Sequence, residues 1–332
     1  MSAAALLAAA LAMIFSITWP YRDRPAAYVA GLTMHRPLAA ARSWHYQLDR
    51  IDVDKLAAIK ADVMVIDFAK KDGKVPLSAE DVQRLKTQPD GSRRFVMAYL
   101  SVGEGESFRS YWRPEWKSLP PDWLGEENCA WPKAHRVRYW LEGWKGINFR
   151  GQDSYLGRII SAGFDGVYLD RVDIYETFEK ERPAAREEMI EHVLQLADTG
   201  RRLKPGFLII PQNGEDLLSD ARYRTAIDGL GKESLLYGLS ETGVRNGEDG
   251  ITWSTSLLDL LIGEGKPVFA VEYLTKADQI AATTAELRAR GMVPTVQTRA
   301  LDGGDPLRPL DLTAEIGTPE RTARACPPGT SW

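Results

Sequence analysis

A single (β/α)8 barrel with a tryptophan-rich insertion between its third and fourth strands is predicted by three features of the sequence. Short apolar β-type runs alternate with longer helical stretches from residue 44 onward, the pattern of βα units on a parallel sheet. Eight such runs fit within about 250 residues, the size of one barrel of this kind. Acidic residues recur at the ends of the runs, where such a barrel gathers its chemistry.

The runs follow in order. Residues 44–48 (WHYQL) form the first expected strand, 63–68 (VMVIDF) the second, 95–102 (FVMAYLSV) the third and 166–170 (GVYLD) the fourth. Residues 207–212 (FLIIPQ) form the fifth, 226–230 a weak sixth, 268–272 (VFAVE) the seventh and 293–297 the eighth. Helices are expected between them. Residues 78–86 open on a Ser-x-x-Asp capping signal. Residues 185–202 carry Met189, Val193, Leu196 and Ala197 at spacings that build one buried stripe. Residues 276–290 end at Gly291, a good C-cap position. A doubly wound open sheet would often carry a glycine-rich phosphate turn, and the sequence has none.

One connection is far longer than a βα loop needs: residues 104–164 separate strands three and four. Six of the ten tryptophans sit there (Trp112, Trp116, Trp123, Trp131, Trp140 and Trp144), so this segment is expected to pack a small core of its own and to send at least one ring to the barrel mouth. At the N-terminus, residues 2–19 are almost purely apolar, long enough to cross a bilayer as a helix. No Lys or Arg precedes them, so a cleaved signal peptide and a retained membrane anchor both stay open, and either implies export to the periplasm, the cell exterior or the outer membrane face. The expected organisation is residues 1–20 as signal or anchor, 21–40 as linker, 41–301 as the barrel and 302–332 as a Pro- and Gly-rich tail. Cys129 and Cys326 fit no metal knuckle and could pair in an exported protein.

Composition narrows the function. A formal charge of −4 gives no reason to expect nucleic acid as a partner. Four histidines and no clustered ligand spacing give no reason to expect a metal or another cofactor. The expected strand ends carry Asp67, Glu104, Asp170 with Asp173 beyond it, Asn213 followed by Glu215, Glu233, and Glu272. Gathering so many carboxylates around one mouth crowds like charge and raises some pKa values, a cost met mainly where an acid and a base are both needed. Glycosidases use two carboxylates flanking the scissile bond. Tyr46, Tyr99, Tyr237 and Tyr273 at or near strand ends would supply rings for the apolar faces of sugars.

The run 163–173 (GFDGVYLDRVD) resembles the strand-four signature of glycoside hydrolase family 114, the endo-α-1,4-polygalactosaminidase-like proteins with a barrel domain. Residues 44–48, 98–106 (AYLSVGEGE), 211–214 (PQNG) and 231–234 (GKES) resemble further segments of that family in order. The resemblance implies cleavage of α-1,4 bonds in a galactosamine-containing polymer, with an aspartate on strand four and a glutamate on strand six as catalytic residues. Those positions are Asp170 and Glu233 here, with Asp173 the rival for the first and Glu215 or Glu272 for the second. A retaining reaction is expected, with Asp170 attacking the anomeric carbon and Glu233 serving as acid, then base. Tyr46, Asp67, Tyr99, Glu104, Asp173, Asn213 and Glu272 are expected to line the substrate subsites, and Lys232 to point away from Glu233. The alternative is a catalytically silent barrel that holds exopolysaccharide at the cell surface.

Overall fold

The computed structural model describes residues 37–70 and 73–307. The apolar segment 2–19 and Cys326 lie outside the described residues, as does most of the expected tail. Cys129 carries no free thiol. No helix among the described residues is long and apolar enough to cross a membrane.

Eight parallel strands appear in the expected order: β1 (Trp44–Gln47), β2 (Val63–Ile66), β3 (Phe95–Ser101), β4 (Gly166–Asp170), β5 (Leu208–Pro211), β6 (Leu230–Glu233), β7 (Val268–Glu272) and β8 (Val293–Val296). β1 to β5 pair in sequence order as one sheet and β6 to β8 as a second. A single bridge, Gln212 to Gly231, joins the two. β8 lies beside β1, yet no ladder links them among the described residues; the N–H groups of Leu48 and Asp49 instead donate to the Leu301 carbonyl at 2.8 and 3.0 Å. The fold is therefore α/β on a central parallel sheet whose ladder is interrupted at two seams.

Period-two alternation separates two cores. Trp44 and Tyr46, Val63 and Val65, Met97, Tyr168, Ile210, then Phe269, Val271 and Tyr273 form one inner cluster. The intervening residues, Met64 and Ile66, Val96 and Ala98, Val167 and Leu169, Val268 and Ala270, face a larger outer cluster. That outer layer includes the helices. The cap predicted at Ser78 forms as a reciprocal box with Asp81 ahead of Ala79–Leu85. The long helix Ala185–Leu203 buries the expected stripe, and Ala277–Ala289 is followed by Gly291 at φ +79°.

The sixth strand departs from expectation by four residues. Residue 226 ends the helix Ala221–Ala226, which Asp220 caps, and Asp228 spends its side chain on Ile209 N–H at 2.8 Å and Arg201 at 2.9 Å. Pairing starts only at Leu230 opposite Val268. Two glycines in the Gly229-Leu-Gly231 stretch weaken its β character, which hid the strand. Gly231 is required on the inner face, because a Cβ there would lie 2.0 Å from the Tyr168 hydroxyl oxygen.

Between β3 and β4 the chain builds a three-stranded antiparallel sheet from Glu104–Glu106, Leu124–Glu127 and Ala134–Val137, then two short helices, Glu142–Asn148 and Tyr155–Ser161. Trp112, Trp116, Trp123 and Trp144 form a chain of ring contacts with centroids 5.0–5.3 Å apart. Trp140 packs on Phe178 at 4.9 Å. The expected core of its own does not form: Trp116, Trp123 and Trp144 are buried in the larger outer cluster, with Trp112 and Trp140 packed against it, and Trp131 stands outside.

Candidate functional site

Alternation on the inner face carries directly into the site. On β4, Tyr168 faces inward and so, two residues on, does Asp170. On β5, Ile210 is followed by Gln212, and on β6 Gly231 by Glu233; on β3 and β1, Tyr99 and Tyr46 face the same way. Of these, Tyr46, Tyr99, Asp170, Gln212 and Glu233 line one cavity of about 290 Å³ at the C-terminal strand ends.

Asp170 and Glu233 are held together by a third side chain. Gln212 Nε2 donates to Asp170 Oδ1 at 3.3 Å and to Glu233 Oε2 at 3.1 Å. Its Oε1 accepts the Tyr46 hydroxyl at 3.2 Å. The amide orientation follows from chemistry, since two carboxylates can face only the NH₂ end. Asp170 accepts two further bonds, from Tyr99 Oη to Oδ2 at 2.6 Å and from the Arg171 N–H to Oδ1 at 2.8 Å. Glu233 Oε1 accepts the Tyr273 hydroxyl at 2.5 Å, and the Glu233 N–H donates to Asn213 Oδ1 at 3.1 Å. Burial pushes the phenols of Tyr46, Tyr99 and Tyr273 well above their ordinary value, so they remain donors throughout the working pH range. Gln212→Met should leave the fold intact, free both carboxyls to drift, and lower kcat roughly 10²-fold, because small misplacement of reacting groups is that costly. Steady-state kinetics on the purified variant check this.

Burial raises the Asp170 carboxyl to about 7, against the opposing pull of the Tyr99 bond and of Arg171. The backbone beyond each strand end is strained: Arg171, Asn213 and Ser234 are non-glycine residues at φ +62°, +58° and +53°. Left-handed backbone costs such residues about 1–2 kcal/mol each. All three positions follow or hold a member of the pair, the kind of place where such strain is retained.

The remaining expected site residues divide into two groups. Asp67, Glu104, Asp173 and Asn213 line the cavity beside Asp170 and Glu233. Asp67 is bound by Arg109 Nη1 at 2.7 and 2.8 Å, and Arg109 Nε also holds Glu106 at 2.7 Å. Glu104 accepts from Asn128 at 2.7 Å and pairs with Arg171 at 3.3 Å. Asp173 sits 3.7 Å from the same guanidinium and makes none of Asp170's contacts with Tyr99 or Gln212. Glu272, by contrast, is not brought to the cavity. It falls between Val271 and Tyr273, so it faces outward and is fully buried, accepting the N–H groups of Leu236 at 2.7 Å and Tyr237 at 3.2 Å. Its carboxyl, pushed up to about 7 by burial, anchors the loop after β6. Glu215 is absent from the cavity lining and is held by Lys232 at 2.9 Å and by the Ser254 hydroxyl at 2.5 Å, which turns Lys232 away from Glu233 as expected. Tyr237 is absent from the cavity lining.

Sequence reading missed Gln212, Arg109 and Arg171 as site residues. Tyr273, expected to offer a ring to sugar, lines the cavity and also donates its hydroxyl to Glu233. The parity of β5 was a usable signal for Gln212: the residue two beyond Ile210 must face inward. Nothing local marks Arg109 as a partner of Asp67, which lies 42 residues away. Among the described residues there is no cluster of side chains that could hold a metal ion.

Comparisons with known proteins place the chain in a family. The model of glycoside hydrolase family GH114 matches residues 26–309. A protein of Deinococcus radiodurans, itself uncharacterised, is 34% identical over 269 residues, covering 80% of this chain and 83% of its own. An uncharacterised protein of Methanocaldococcus jannaschii is 36% identical over 241 residues, covering 70% of this chain and 66% of its own. Among solved structures, the glycoside hydrolase domain of PelA from Pseudomonas aeruginosa superposes with a TM-score of 0.62 at 23% identity, covering 79% of this chain and 97% of that domain. That likeness is one of fold.

Proposed function

The chain belongs to glycoside hydrolase family 114, and from that premise we propose that it cleaves α-1,4-linked galactosamine-containing polysaccharide by a retaining, two-carboxylate reaction, with Asp170 as nucleophile and Glu233 as acid and then base. The observation that carries this reading is the Gln212 clamp. One NH₂ group donates to both carboxylates, so the bonded oxygens lie at most about 6.4 Å apart and both groups face one gap, as a two-carboxylate glycosidase requires. A barrel closed between β8 and β1 is part of the reading. It is supported by the inner cluster, which unites residues of β1 with those of β7 and β8.

The assignment of roles rests on donors. Asp170 receives three hydrogen bonds, all of which favour its anion, from rigid groups at the end of β4. Glu233 receives two. In the first step the Asp170 carboxylate would bond to the anomeric carbon as the glycosidic C–O bond breaks, the leaving oxygen taking the Glu233 proton. In the second, Glu233 would take a proton from water as that water's oxygen displaces Asp170, which leaves as carboxylate. Substrate choice is supported by the other carboxylates of the cavity: Asp67, Glu104, Glu106 and Asp173 share two guanidiniums, leaving acidic excess for a cationic amino sugar. Export belongs to the same proposal, since a polysaccharide of this kind lies outside the cytoplasm.

Reducing-end release from α-1,4-galactosamine polymers, acetylated and deacetylated, tests the function on the protein lacking residues 1–30. Polymer bound but not cut would favour the silent binding barrel. A pH profile tests the roles. With Asp170 raised to about 7 and required as the anion, kcat/KM should climb with pH through an apparent pKa near 7. Tyr99→Phe removes a bond that favours the anion, so the climb should move to higher pH. A rate that falls through pH 7 would give Asp170 the acid's part instead.

A further inference from the structure

The tryptophans of the insertion do not all share one role, and the exception stands in the cavity. Five are buried or half-buried, in ring contact with one another, with His135, or with Tyr139 and Phe178. Trp131 has no ring partner among the described residues, is 38% exposed, and lines the same cavity as Asp170 and Glu233. An exposed indole at a mouth rim with no ring stacked on it leaves apolar area in water that a ligand can cover.

Its loop is ordered beforehand. Residues 128–133 join two strands of the insertion sheet, and Asn128 closes the turn: its Oδ1 accepts the N–H groups of Ala130 at 2.9 Å and Trp131 at 3.2 Å. The Trp131 carbonyl accepts the Ala134 N–H at 3.2 Å, and the Lys133 carbonyl that of Ser107 at 2.7 Å. Asn128 Nδ2 donates in turn to Glu104, which pairs with Arg171, the residue joined directly to Asp170. Platform and nucleophile are thus parts of one bonded chain, and little conformational freedom remains to be lost on binding.

Building on the glycosidase reading above, we propose that Trp131 is the stacking platform of a sugar subsite remote from the scissile bond, where the apolar C–H face of one pyranose ring of the polymer rests. Asn128 and Glu104 act as its positioning residues. The consequence is a preference for chains long enough to reach the platform. The glycosidic bond is cut at Asp170 and Glu233, while a ring on Trp131 holds the rest of the chain in register. Its contribution is to binding, so it appears in KM rather than in the chemical step.

The test is kcat/KM on α-1,4-linked galactosamine oligosaccharides of increasing length, for the parent, Trp131→Ala, Trp131→Phe and Asn128→Ala. The parent should gain efficiency with length up to a plateau. Trp131→Ala should remove the gain, lowering kcat/KM on long oligomers about tenfold, mainly through KM, a loss worth about 1.4 kcal/mol. Trp131→Phe should keep most of the gain, and Asn128→Ala should lose part of it. A Trp131→Ala profile that parallels the parent's, or that is lowered equally at every length, would overturn the platform while leaving the glycosidase standing. A parent that cuts none of the oligomers would overturn the galactosamine reading and the subsite with it.

Discussion

Asp170→Asn and Glu233→Gln should each lower polymer cleavage by 10⁴-fold or more, on the order seen when members of a catalytic unit are removed singly. Both substitutions keep volume and most hydrogen bonds, so both variants should fold and bind substrate. The double variant should be hardly worse than either single one, because the two groups act on the same transition state. The two defects should differ in kind. Without its nucleophile the Asn variant has no route to a covalent intermediate, whatever the leaving group. The Gln variant lacks only an acid for the leaving oxygen, so an aryl glycoside whose phenolate departs unaided should recover part of the rate of the first step. Measuring reducing-end release on polymer and phenol release on an aryl galactosaminide separates them. Recovery by the Asn variant and not by the Gln variant would reverse the roles. Undiminished release by either would remove that residue from the mechanism.

Arg109→Met should cost about 3–5 kcal/mol of stability, the penalty for stranding a buried charge partner. Arg109 is itself buried and neutralises two carboxylates, Asp67 and Glu106, while its guanidinium lies 4.8 Å from the Phe108 ring centroid and 5.6 Å from that of Tyr99. Methionine fills much of the space and leaves both acids without a counter-charge, Asp67 being fully buried. For a domain of this size the loss corresponds to roughly 10 °C in thermal midpoint. Adding Asp67→Asn to the Arg109→Met chain should restore part of it, by removing the more deeply buried of the stranded charges. A methionine variant as stable as the parent, by calorimetry, would mean that water reaches these acids and that the pair contributes only geometry. Since Arg109 lines the cavity, activity should fall as well, though by less than in the carboxylate variants.

What could be read from the chain and what could not follows one physical division. Strand positions, caps and helix stripes are local: Ser78 with Asp81, the stripe through Met189 and Val193, and Gly291 each encode their element within one or two turns, and all were legible. The strand-four aspartate and strand-six glutamate were legible too, because family-like runs surround them. Parity was encoded but unused. Counting in twos from Val271 separates Tyr273, which faces Glu233, from Glu272, which cannot. The sixth strand was misplaced because two glycines lower its β character, and only its pairing with β7 overrides that weakness.

The sequence by itself determined the class of fold and the family, since these depend on periodicity and on short contiguous motifs. Only the tertiary structure decided how Asp170 and Glu233 are joined, which acids are consumed by ion pairs, and which tryptophan reaches the cavity. Gln212 reaches Glu233 and Asp170, Arg109 reaches Asp67 and Asn128 reaches Glu104 across separations from 21 to 42 residues along the chain. No local pattern announces such a contact, because the free energy that selects it comes from burying charge and amide groups together once the strands have assembled.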